Sequence, residues 1–172
     1  MIPVQPTLDD DWDRRVDALW SEFDRHKPAA FVVRMQALAA ELPADDPRAL
    51  FELGGAYDST GQPVNAAPLY RQALAAGLAG SRRRQAVIQL ASTLRNLGRV
   101  KESVTLLADE RAAGSDELDD AVAGFLALAL ADAGRDKEAL ALALGALARH
   151  LPRYNRSLAS YARALAEEKV PS

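Results

Sequence analysis

The chain of 172 residues is 49% hydrophobic but only 6% aromatic, so alanine, leucine and valine must build the core of what we expect to be one domain over residues 1–172. Its formal net charge of −3 gives no general attraction to nucleic acid, and the absence of cysteine excludes disulfides and thiolate-bound metals. Without a secretory signal or an apolar run of about 20 residues, we expect a cytoplasmic protein that does not enter membranes.

The segment 8–43 is predicted to form a first helical hairpin. Thr7 and Asp10 fit a capping box at the start of its first helix. Apolar residues then recur at helical spacing in each of its two helices, with Pro28 opening the second. These residues are Val16, Leu19, Trp20 and Phe23, followed by Phe31, Met35 and Leu38. Trp12 is expected to pack at the exposed end of this hairpin.

The segment 47–80 predicts a second hairpin with the clearest pattern of the chain. Gly61 suits a left-handed helix end, and Pro63 suits the first turn of the next helix. The helical stripes on either side are Leu50, Leu53, Gly54 and Tyr57, then Ala66, Leu69, Tyr70, Ala73 and Leu74. Small residues in this pattern let two helices approach closely, and Tyr57 and Tyr70 are expected to fill the space between them.

The same pattern returns further along the chain. Glycines between helices occur at positions 61, 98 and 134, which are 37 and 36 residues apart. This spacing predicts further hairpins at 82–113 and 117–151. A last helix over 154–168 follows, with Leu158, Tyr161, Ala162 and Leu165 predicted to face inward, because the end of a repeat array needs a capping element.

The central hairpin resembles the tetratricopeptide repeat family, whose pattern is W-x2-L-G-x2-Y followed by A-x3-F. The matching residues are Leu50, Leu53, Gly54, Tyr57, Ala66 and Tyr70. Leucine stands in place of the tryptophan, and Leu78 lies near the position of the family's proline. The resemblance implies an all-α fold over about residues 13–168, a right-handed α-solenoid of antiparallel helical hairpins with a C-terminal capping helix.

The resemblance also implies a function, protein–protein interaction as a scaffold or adaptor. An extended peptide or partner helix would lie in a concave groove lined by the first helix of each hairpin. The corresponding residues are Arg48, Phe51, Glu52 and Asp58, then Gln85, Gln89, Ser92, Arg95 and Asn96, and finally Phe125, Leu128 and Asp132. Phe51 and Phe125 are expected as apolar anchors, and Arg95 as a partner for a carboxylate. Alternatively, the polar side chains are simply the solvent-facing surface of helices.

Three consecutive cations, Arg82, Arg83 and Arg84, are the one local anomaly. Positive charge in the first turn of a helix opposes the helix dipole. One interpretation is a basic patch that binds an acidic peptide or a phosphate group. The other is that these arginines are solvated or paired with acidic residues of the neighbouring hairpin.

Motifs for catalysis are not found in the sequence. It contains no glycine-rich phosphate loop, no HExxH pair and no nucleophile elbow, and His26 and His150 lie far apart in the chain. The carboxylates 9–11 are better explained by helix capping than by a metal site. We therefore expect no enzyme activity, no cofactor and no metal. The alternatives to an interaction module are a self-associating structural homodimer and a helical repeat protein that binds a small molecule.

Overall fold

The computed structural model describes residues 8–167, with side chains from residue 11 onwards. Thr7 and the side chain of Asp10 therefore lie outside the described residues. The chain divides into two compact units, Met1–Arg82 and Arg83–Ser172. The α-helices of the described part are α1 Leu8–Ser21, α2 Pro28–Ala39, α3 Pro47–Ser59, α4 Pro63–Ala75, α5 Gly80–Asn96, α6 Val100–Ala113, α7 Asp119–Asp132, α8 Asp136–Ala148 and α9 Asn155–Glu167. That the chain is one domain stays a prediction.

Local chemistry sets the beginnings of several helices. Proline is the first residue of α2, α3 and α4, where its fixed φ suits a helix and its missing N–H is not needed. The Asp46 carboxylate caps α3 by accepting hydrogen bonds from the backbone N–H groups of Arg48 at 2.9 Å and Ala49 at 3.4 Å. The short 3-10 helix Phe23–Arg25 separates α1 from α2, so Phe23 does not continue the stripe of α1.

The three glycines predicted to punctuate the repeat share one turn geometry. Gly61, Gly98 and Gly134 have φ values of +77°, +76° and +74°, a conformation that residues with a side chain rarely adopt. After each glycine, a backbone N–H bonds to a carbonyl five residues earlier, as from Gln62 to Tyr57 at 2.9 Å. These bonds satisfy carbonyl groups at the helix end, so the same turn closes each of the three helices.

The Trp12 side chain lies in the core of the first unit and not where we predicted it from the sequence. The expectation that Trp12 packs at an exposed end is wrong, since Trp12 is only 1% exposed. Its Nε1 donates a hydrogen bond to the Leu38 carbonyl at 2.9 Å, which joins α1 to α2. The neighbouring buried residues of this cluster are Val16, Leu19, Phe31, Met35, Ala49 and Ala56.

The contact between α3 and α4 depends on a glycine beside an aromatic ring. Tyr70 is fully buried, and a Cβ atom at Gly54 would lie 3.0 Å from Cδ1 and Cε1 of its ring. A larger residue at position 54 would force these helices apart. Tyr57 is only half-buried, and its hydroxyl accepts a hydrogen bond from Nε2 of Gln36 at 2.8 Å.

The second unit is built around an apolar core from α5 to α8. Its buried members include Ile88, Ala91, Leu107, Val122, Leu126, Leu130 and Ala139. In α9, Ala162 is buried and Leu158 and Leu165 are half-buried, as expected, but Tyr161 is 68% exposed because it lies at the margin of this stripe. None of the described residues forms a strand, so the predicted all-α helical-repeat fold is confirmed.

Candidate functional site

Helices α5 and α7 of the second unit lie side by side and run in the same direction. Near their beginnings, Arg84 pairs with Asp119 at 2.8 Å, and near their ends Arg95 pairs with Asp132 at 2.6 Å. Between these two ion pairs, both helices contribute residues to one apolar core cluster. Residues 35 to 37 positions apart in sequence are therefore neighbours in space. This arrangement brings together the predicted site residues Arg95 and Asp132.

The predicted site residues of these helices form what we call the α5–α7 face. Its members are Gln85, Gln89, Ser92 and Asn96 of α5 and Phe125 and Leu128 of α7. Asn96 is exposed, Leu128 is 48% exposed, and the other four are half-buried. Phe125 also packs against the core of the second unit. The face thus sets apolar side chains of one helix beside amide and hydroxyl groups of the other.

One polar atom of the α5–α7 face lacks a partner. Oε1 of Gln89 is buried and forms no hydrogen bond within the described part of the chain. The hydroxyl of Thr93 is engaged with the backbone carbonyl of Gln89 at 2.8 Å. A buried acceptor without a donor costs about 1–3 kcal/mol. A rotamer of Gln89 that brings Oε1 to the surface, where a bound chain supplies a donor, would remove this cost, and rotating the amide by half a turn would present its NH₂ group instead.

In the first unit, two of the predicted site residues are buried. Phe51 is 5% exposed with its ring centroid 6.2 Å from that of Tyr70, so it does not provide the open apolar anchor that we expected. Glu52 is 6% exposed and accepts hydrogen bonds from Nε1 of Trp20 at 2.8 Å and Nε of Arg82 at 3.1 Å. Burial raises the pKa of Glu52, although both of these donors act to lower it.

The other two predicted residues of the first unit also have internal contacts. The Arg48 guanidinium pairs with the Asp46 carboxylate at 3.0 Å and lies 5.7 Å from the centre of the Trp12 ring. Asp58 is half-buried, and its carboxylate adds to burial in raising the pKa of Tyr70. The contacts of these four residues stabilise the first unit itself.

The first two arginines of the triplet face carboxylates of their own unit. Arg82 bonds to Asp13 at 2.9 Å and to Glu52 at 3.1 Å. Nη1 of Arg83 lies 2.6 Å from each carboxylate oxygen of Glu110, which is buried. Opposite charges at these distances offset the unfavourable position of the arginines at the beginning of α5.

Arg84 is the most deeply buried member of the triplet, with a side chain 7% exposed. It pairs with Asp116 at 2.5 Å and Asp119 at 2.8 Å, and contacts the Gly114 carbonyl at 3.4 Å. The Ser115 hydroxyl, the Asp116 amide and Arg84 together lower the pKa of Asp119. Arg84 thus ties the connection between α6 and α7 to α5. That the triplet binds an external anion stays a prediction.

The described residues hold no group of three or more histidine, aspartate or glutamate side chains that could bind a metal ion. Within the same residues, no helix is long and apolar enough to cross a membrane. His150 lies 2.7 Å from Asp120 in the second unit, whereas His26 belongs to the first unit, 3.8 Å from Glu22.

Sequence reasoning missed a cavity of about 720 Å³ in the second unit. It lies among α6, α7, α8 and α9, and much of its wall is alanine and glycine. These residue types are also the ordinary composition of closely packed helices, so no motif distinguishes a space between helices from a direct contact. A surplus of small residues in the last three helices is the only signal that the sequence carries.

Comparison with known proteins gives one match. A family model described as tetratrico peptide repeat matches residues 47–165, which is more than half of the chain. Neither the curated proteins nor the solved structures that were compared gave a match. The matched range begins at the first residue of α3 and ends within α9.

Proposed function

Because the chain belongs to the tetratricopeptide repeat family, whose members generally mediate protein–protein interactions, we propose that it binds an extended segment of a partner protein on the α5–α7 face. The observation that carries this proposal is the buried, unpartnered Oε1 of Gln89 in the middle of that face. A backbone N–H group of a bound segment can supply the donor that this atom lacks once the Gln89 side chain turns toward the surface.

The spacing of the polar side chains supports an extended segment. Gln85, Gln89, Ser92 and Asn96 follow one another at intervals of three or four residues, which places their Cβ atoms about 5–6 Å apart. In an extended chain, backbone groups that point to the same side recur about every 6.6 Å. The two repeats are close enough for successive side chains of α5 to bond to successive peptide groups.

The apolar residues and the ion pair of this region suggest the chemistry of the segment. Phe125 and Leu128 can contact an apolar side chain of the partner, and such contacts tend to dominate binding energy. Arg95 is already paired with Asp132, so an incoming carboxylate would have to replace that partner. We therefore expect the α5–α7 face to bind the backbone and an apolar side chain of the ligand rather than an acidic group.

Leu128→Asp tests the proposal. Peptides are first selected from a displayed random library on the full chain, and their affinities are then measured by fluorescence anisotropy. The substitution is expected to weaken binding at least tenfold, or about 1.4 kcal/mol, because it places a charge where an apolar contact forms. Folding should be unaffected because the side chain is already 48% exposed.

Leu140→Asp is the matched control, since Leu140 on α8 is 49% exposed and lies outside the α5–α7 face. Equal weakening of peptide binding by both variants would count against the proposed face. Unchanged binding in both variants would also count against it. If Arg83→Ala abolishes binding and Leu128→Asp does not, the basic triplet is the site instead. A molecular mass that rises with concentration in light scattering would favour the self-association alternative.

A further inference from the structure

The cavity of the second unit is separate from the α5–α7 face. On α7 it is lined by Ala123, Leu126 and Leu130, whereas the face uses Phe125 and Leu128. With 3.6 residues per turn, these two sets lie on opposite sides of the helix. A ligand in the cavity and a segment on the face would therefore contact different surfaces of α7.

On α8 and α9, part of the cavity wall consists of short or apolar side chains. They include those of Leu142 and Gly145 of α8 and Ala159 and Ala162 of α9. A Cβ atom added at Gly145 would meet no heavy atom within 4 Å, so the space beside this glycine is open. The volume of about 720 Å³ lies within the range of about 300–1,000 Å³ that is typical of small-molecule sites.

The charged residues that line the cavity are mostly arginines. They are Arg111, Arg135, Arg149 and Arg163, against the carboxylates of Asp119 and Glu138. This gives the site an excess of two positive charges in a chain whose net charge is −3. The cavity is therefore locally basic although the whole protein is acidic.

Two of these arginines are not neutralised by the described residues. Arg135 pairs with Glu138 at 2.6 Å, and Arg149 pairs with Asp120. Arg111 and Arg163, by contrast, are exposed, and no ion pair or hydrogen bond joins either of them to another residue in the described range. They come from two different helices, α6 and α9, and both line the same cavity.

We propose that this cavity binds a small anionic amphiphile, a molecule with a carboxylate or phosphate head group and an apolar chain. Arg111 and Arg163 hold the head group, because a guanidinium donates two parallel hydrogen bonds to either anion. The apolar chain lies against the alanine and leucine side chains of α7, α8 and α9 and is thereby removed from water. This inference is independent of the proposed protein-binding function.

Isothermal titration calorimetry of the full chain tests the class of ligand. The probes are dodecanoate and dodecyl phosphate, each below its critical micelle concentration. Acetate and inorganic phosphate supply the head groups alone, and dodecyltrimethylammonium supplies the same chain with a positive head. We expect the two alkyl anions to bind with one site and to raise the melting temperature, since a ligand of the folded state stabilises it. The head groups alone and the cation should bind at least tenfold more weakly.

Two variants locate the site. Arg111→Gln with Arg163→Gln should lower the affinity for dodecanoate at least tenfold, whereas Arg153→Gln with Arg156→Gln, which removes two exposed arginines outside the cavity, should not. Gly145→Leu should fill the cavity and abolish binding. Its control is Gly124→Leu on α7, where an added Cβ atom also meets no atom within 4 Å but does not enter the cavity.

Circular dichroism shows whether each variant is folded. If Gly145→Leu does not fold, the Arg111→Gln, Arg163→Gln double variant still tests whether the ligand binds in this cavity. The proposal is overturned if neither alkyl anion binds the unchanged chain, or if dodecyltrimethylammonium binds as tightly as dodecanoate. Unchanged affinity in the folded Gly145→Leu variant also overturns it. Binding of an acidic peptide such as hexaglutamate without binding of dodecanoate would assign the arginines to a protein partner instead.

Discussion

Tyr70→Ala is expected to lower the free energy of unfolding by about 3–5 kcal/mol, the range for removing a large buried aromatic side chain. Tyr70 is fully buried, and its ring lies directly against the backbone of Gly54, where no side chain is available to fill the space. The cavity left between α3 and α4 therefore cannot close without moving a helix. Urea denaturation followed by circular dichroism measures the loss.

Tyr57→Ala is the matched comparison. Tyr57 is half-buried and its hydroxyl bonds to Gln36, so this change should cost about 1–2 kcal/mol. From the sequence alone, the two tyrosines are expected to be equivalent. Equal losses for the two variants would contradict the difference in packing that the structure shows.

Arg84→Ala is expected to cost about 3 kcal/mol of unfolding free energy, the lower end of the range for breaking a buried ion pair. The Arg84 side chain is 7% exposed, and its removal leaves Asp116 and Asp119 without the cation that they share. The lower end applies because each of these carboxylates retains 34% of its exposure and can be partly solvated. Thermal and urea unfolding of the variant measure the change.

Arg99→Ala serves as the control for a surface arginine. Arg99 pairs with Glu102 three residues later, and both side chains are more than 40% exposed, at 43% and 48%. The expected change in stability is within about 0.5 kcal/mol. If Arg84→Ala is as mild as Arg99→Ala, then Arg84 does not hold the connection between α6 and α7.

The helical repeat is visible in the sequence because local chemistry specifies it. Gly61, Gly98 and Gly134 mark helix ends through a backbone conformation that glycine adopts without strain. Asp46 and the prolines that start three helices act on backbone groups within a few residues of themselves. Gly54 and Tyr70 carry the family resemblance through one close contact between adjacent helices. Each of these signals spans fewer than about twenty residues.

The contacts of individual side chains across longer distances could not be predicted in the same way. Trp12 is placed by a hydrogen bond to a carbonyl 26 residues away, and the sequence contains no mark of that partner. The arginine triplet shows the same limit. Opposition to the helix dipole identifies Arg84 as unusual, but only the packing of α5 beside α7 brings Asp119, 35 residues later, within 2.8 Å.

The same distinction between local and long-range contacts applies to the two candidate binding regions, the α5–α7 face and the cavity. Helical spacing is enough to put Gln85, Gln89 and Ser92 on one side of α5, because that depends only on 3.6 residues per turn. The unpartnered state of the Gln89 acceptor depends on every group that surrounds it in three dimensions. The cavity depends on the distances between four helices, and alanines that touch in one packing leave a space between them in another. Tertiary structure alone decides between those two outcomes, because the volume left between helices is a property of their separation and not of any one residue.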